Sequence, residues 1–94
     1  MKRLEELYNK VVEATLEASG LSFEQLAMCR ADKCVTARVV LVDRLIRLGL
    51  TEGEIVELSC MSQQRVNSLK NSAKYRLKGL SARMMVEDVE RMTE

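Results

Sequence analysis

No proline interrupts the 94 residues of this chain, and glycine appears only four times. Gly20, Gly49, Gly53 and Gly79 fall mostly where a helix is expected to start or stop. A chain with so few backbone breaks forms helices most readily. Apolar residues make up 47%, within the globular range, so one modest core is credible at this length. Aromatics are only 3%, so that core must be aliphatic and Met-rich. We find no internal repeat, low-complexity stretch or linker. The expected fold is all-α: one domain over 1–94, a bundle of about six helices.

Apolar spacing and cap residues place the helices. Over 2–18, Leu4, Leu7, Val11, Ala14 and Ala18 recur at intervals of three and four, and Gly20 is the expected stop. Ser22 and Gln25 fit a capping box that opens a short helix to about Cys29. Arg30, Asp32 and Lys33 read as a polar join. The stretch 34–48 is apolar nearly all round and should sit centrally. Its β-branched run Val39–Val42 also admits a strand, but length, Arg38, Arg44, Arg47 and the Gly49 stop favour a helix. Thr51 and Glu54 form a second capping box, opening a helix to near Ser59. Cys60 and Met61 make a turn, and Ser62 caps the next helix. There Val66, Leu69, Ala73, Leu77 and Leu80 form a narrow apolar stripe. A last helix over about 81–93 carries Met85, Val89 and Met92 on one side.

Several function classes are disfavoured. The chain has no histidine, and Cys29, Cys34 and Cys60 show no CxxC pairing, so neither a metal site nor a cofactor is expected. Each cysteine reads as a small buried hydrophobe in the reduced state, which fits a cytoplasmic protein without a signal peptide. No run approaches the roughly 20 apolar residues of a membrane span. Nucleophile–base pairs and Gly-rich phosphate loops are lacking, so no enzyme is expected. No small-molecule ligand is evident either.

The net charge of +1 hides an asymmetry. Residues 62–80 carry Arg65, Lys70, Lys74, Arg76 and Lys78 with no acid, and 81–94 carry Glu87, Asp88, Glu90 and Glu94 against Arg83 and Arg91. The segment of about 51–79 also has helix-turn-helix proportions: a short helix, a turn of three to four residues, then an amphipathic helix. In such a unit the start of the second helix reaches base edges in a major groove. Here those residues are Gln63, Gln64, Arg65, Asn67 and Ser68. Gln and Asn suit adenine, and Arg suits guanine. Asn71 shares the polar face, and Lys70, Lys74 and Lys78 recur at four-residue spacing, a stripe able to follow phosphates. A solvated face is the plainer account of such a stripe. The absence of acids over 62–80 favours double-stranded DNA.

The stretch GLTEGEIVELSCMSQQRVNSLKNSAKYRLKGL resembles the C-terminal helix-turn-helix of LuxR-type regulators and of sigma-factor region four. Thr51, Glu54, Ile55, Leu58, Ser62, Val66, Ser68, Leu69, Lys70, Arg76 and Leu77 match their pattern, and Val56 stands where those families carry a small residue. The stretch LSFEQLAMCRADKCVTARVVLVDRLIRLGLTEGEI is similar to the start of the DNA-binding domain of the replication initiator DnaA, in the Trp-repressor-like group. Leu26, Arg30, Ala37 and Arg38 carry that likeness. The initiator's Gly-Arg-Asp-His-Thr-Thr signature is replaced by MSQQRV. The two resemblances cover about residues 21–80. They imply a helical DNA-binding scaffold, a small bacterial transcription regulator, and a backbone-contacting role for Arg38. A surface ion pair of Arg38 with Asp43 is the alternative.

The rival expectation is a protein–protein interaction module on the same scaffold. Met28, Met61, Met84, Met85 and Met92 suit an adaptable apolar surface, although they equally suit filling an aromatic-poor core. The stripe Met85, Val89 and Met92 needs cover, from its own core or from a second copy in a homodimer built through the C-terminal helix.

Overall fold

The computed structural model describes residues 2–94. Its regular elements are six helices: α1 (Lys2–Ser19), α2 (Phe23–Met28), α3 (Asp32–Arg47), α4 (Glu52–Ser59), α5 (Gln63–Arg76) and α6 (Leu80–Met92). The all-α expectation holds, and β-branched Val39–Val42 lie within a helix. Among the described residues no helix is long and apolar enough to cross a membrane.

Local chemistry accounts for the helix starts. The Ser22 hydroxyl accepts from the Gln25 amide while the Gln25 side chain accepts from the Ser22 amide, and Thr51 and Glu54 repeat the arrangement. Each reciprocal cap satisfies two amides that a helix end leaves unpaired. Ser62 caps α5 by accepting from the Arg65 amide at 3.1 Å. After α1 and α3, Gly20 at φ +73° and Gly49 at φ +106° take backbone conformations that side chains resist.

Three boundaries differ from expectation. Asp32 and Lys33 belong to α3, not to a polar join. α5 ends at Arg76, so Lys78 lies in the connection to α6 rather than one turn further along a helix. Leu80 opens α6 and is 77% exposed, so it does not extend the α5 stripe.

α3 is the hub. It packs against each of the other five helices, and Ala37, Val39, Val42 and Leu45 are wholly buried. α1 supplies Val11 and Ala14, α4 supplies Ile55, and α5 supplies Val66 and Leu69. α6 lies against α1 and α3, burying Met85 and Val89. The stripe that needed cover is therefore covered by its own chain. The methionines divide: Met85 is buried, Met61 and Met92 are half-buried, and Met28 and Met84 are exposed.

The cysteines divide too. All are free; Cys34 is buried, Cys29 half-buried and Cys60 exposed. Cys60 is therefore not the small buried hydrophobe expected of it. It ends α4 in the left-handed conformation at φ +63°, the one described non-glycine residue with positive φ. A hydrogen bond with the Cys34 thiol pulls the Cys29 pKa down and pushes that of Cys34 up.

Candidate nucleic-acid interface

The candidate surface is built on α5, held by α4 and α3. Val66 and Leu69 are buried, with Ala73 and Leu77 packed against the same core. This stripe fixes the rotation of α5 about its axis. At 3.6 residues per turn, Gln64, Ser68, Asn71 and Tyr75 then lie on the far side. All four are exposed. Gln63, Arg65, Asn67, Lys70 and Lys74 flank that face and are exposed as well, and exposed Lys78 follows beyond the helix end. The structure thus places eight of the ten anticipated contact residues on α5, seven over its outer face and α4 flank and Arg65 on the other flank, with Lys78 just beyond the helix end. Tyr75 joins them unforeseen: it is 68% exposed, with the Lys74 ammonium 5.3 Å from its ring centroid. An aromatic at the centre of the polar face, three and four residues after Ser72 and Asn71, is the signal that would have found it.

Arg38 is the tenth, and it is not on this surface. It is 4% exposed, and its Nε donates to the Leu26 carbonyl, tying the end of α2 to α3. The alternative ion pair with Asp43 does not form either; Asp43 accepts from Arg47 at 3.0 Å. Nη2 of Arg38 is enclosed without a hydrogen-bond partner. Burial first, and the nearby Arg65 charge second, push the Arg38 pKa below its usual value.

The basic segment is less free than its sequence suggests. Glu52, in the first turn of α4, reaches across to α5. Its carboxylate accepts from Gln63 Nε2 at 3.0 Å, Asn67 Nδ2 at 3.2 Å and Lys70 Nζ at 2.9 Å. The Lys70 hydrogen bond, then that of Asn67, holds the Glu52 carboxyl below the usual carboxylate range. Arg76 donates to Asp32 at 2.8 Å. Among the described residues Arg65, Lys74 and Lys78 have no carboxylate partner. Residues 62–80 hold no acid, but the fold brings Glu52 and Asp32 to them.

The arrangement offers amide, hydroxyl and phenol groups along the whole length of one helix, with unpaired cations beside them. Among the described residues no cluster of His, Cys, Asp and Glu is placed to hold a metal ion. No family model matches the chain, and neither a curated protein nor a solved structure matches it.

Proposed function

We propose that this chain is a sequence-specific DNA-binding protein, a small transcription regulator of bacterial type, that presents α5 to a major groove as the second element of a helix-turn-helix. The observation carrying this reading is the outer face of α5: Gln64, Ser68, Asn71 and Tyr75 exposed, no acid of its own helix among them, and rotation fixed by the buried Val66 and Leu69. Gln64, Asn67, Asn71 and Ser68 are suited to base edges, and Lys74 and Lys78 to phosphates. Lys70, Gln63 and Asn67 exchange Glu52 for DNA on binding. Arg65 reaches backbone from the opposite flank. In this reading Arg38 supports the scaffold rather than touching the duplex.

The test is a fluorescence-anisotropy titration with random duplex DNA at several salt concentrations, with the Lys70→Glu/Lys74→Glu variant alongside. Salt-dependent binding is expected, with a log–log slope of roughly one per phosphate contacted, and the variant should lose it while remaining folded, with the modest loss of stability that follows from breaking the Lys70–Glu52 pair. No binding at low salt overturns the reading.

A specific observation favours a second reading, a protein-interaction module. Phe23 at 64% and Met28 at 79% exposure stand on α2 rather than on the outer face of α5. If that patch carries the function, partner binding falls on Phe23→Ser or Met28→Ser and survives the lysine reversals.

A further inference from the structure

Between α1, α2, α3 and the turn into α5 lies a half-open pocket of about 410 Å³. Its wall contains two arginines, Arg38 and Arg65, and no carboxylate. Arg38 is the unusual member. An arginine only 4% exposed normally has its donors answered. Here Nε is answered by the Leu26 carbonyl and Nη2 by nothing among the described residues. Arg65 brings a second positive charge to the same wall without a carboxylate partner. Ser62 and Arg65 also set the positive end of the fourteen-residue α5 helix there. Three sources of positive potential thus converge on one concavity, and the chain supplies no anion to it.

The rest of the wall is mixed: Val12, Leu41 and Ala27 are apolar, and Tyr8, Ser59, Ser62 and Cys60 bring hydroxyls and a thiol. Leu26 and Met61 line it, and the Phe23 ring stands exposed at its edge. The volume lies within the range of small-molecule sites. A bare phosphate would leave the apolar part of the wall unfilled. A phosphate held on a stiff duplex would not reach so enclosed an arginine. We propose that this pocket binds a small organic anion, a carboxylate or phosphate monoester, with its oxyanion against Arg38 and Arg65 and its apolar body on Phe23, Leu26 and Met61. The ligand bridges α2 to the first turn of α5, so it bears on the orientation of that helix. The site does not depend on whether α5 binds DNA.

Binding is read without DNA, by amide and arginine Nε–Hε NMR shifts and by melting temperature. The probes are phenyl phosphate, benzoate and inorganic phosphate, each at matched ionic strength. Phenyl phosphate or benzoate is expected to saturate shifts at Leu26, Arg38, Met61 and Arg65, and to bind at least about tenfold more tightly than inorganic phosphate. At ten times its dissociation constant it should raise the melting temperature by about 5–10 °C. Arg65→Gln, an exposed change that leaves the Ser62 cap intact, should weaken binding about tenfold. Arg38→Met should abolish it; should that variant fail to fold, Arg65→Gln and Phe23→Ser carry the test. Equal affinity for inorganic phosphate and phenyl phosphate, shifts confined to the Lys70–Lys78 side of α5, or an unchanged affinity in Arg65→Gln would each overturn the proposal.

Discussion

The two flanks of α5 are both basic, yet they are finished in opposite ways. On the α4 side, Lys70 is answered by Glu52, which also takes Gln63 and Asn67. On the α2 side, Arg65 stands beside the enclosed Arg38, and no carboxylate lines the pocket they share. One flank carries its own stand-in for a polyanion, which any incoming phosphate must displace. The other is left unneutralised. Like charges in one helix therefore say little about availability; the neighbouring helix decides. An exposed ion pair is easily exchanged because its net worth is small, whereas a buried unanswered donor is a standing cost.

The largest effect should come from reversing the α4 flank. Lys70→Glu/Lys74→Glu removes two cations and sets a carboxylate against Glu52, and DNA affinity should fall by more than about a hundredfold at low salt. Glu52→Gln sharpens the contrast in the other direction. It should raise DNA affinity about three- to tenfold by releasing Lys70 and removing a repelled charge. The pH dependence follows the same group. Because its folded pKa is depressed, the Glu52 contribution to stability is complete above the unfolded carboxylate pKa. It fades as pH falls through the lower folded value. DNA affinity of the wild type should rise through that lower window, and in Glu52→Gln that rise should be missing.

Two smaller changes act between the flanks. Cys60→Gly relieves the left-handed residue in the turn that joins them and should raise stability by about 1 kcal/mol in urea titration. DNA salt dependence should not move. Asp32→Asn frees Arg76 from a pair in which the Asp32 side chain is 88% exposed. Its stability change should stay within about 0.5 kcal/mol, which a melting curve checks.

Much of this was legible before the fold was known, because the interactions involved are local. The Ser22, Thr51 and Ser62 caps span three residues each, and the Val66–Leu69–Ala73–Leu77 stripe repeats within one helix. The polarity pattern puts the start of α3 two residues late because Asp32 and Lys33 look like a join, whereas acid in a first helical turn is favourable. Glu52 was not legible as a partner of Lys70, 18 residues away, because only the crossing of α4 and α5 joins them. Nor was the burial of Arg38: its acceptor is the backbone carbonyl of Leu26, a group every residue has. The pocket needs four elements at once, so no spacing within one of them announces it.

The position of α3 has a consequence for how the molecule opens. Val39, Val40, Val42 and Leu45 are at most 1% exposed and are covered from several sides. Their amides should exchange with solvent deuterium only through global unfolding, setting the slowest rates in the chain. α2 is six residues long and rests on α3 and one arginine bond. Its amides should exchange fastest among the interior helices, through an excursion that leaves the rest folded. Each such excursion breaks the Arg38–Leu26 bond and uncovers Nη2, so deuterium uptake at Leu26 counts how often that enclosed nitrogen meets water.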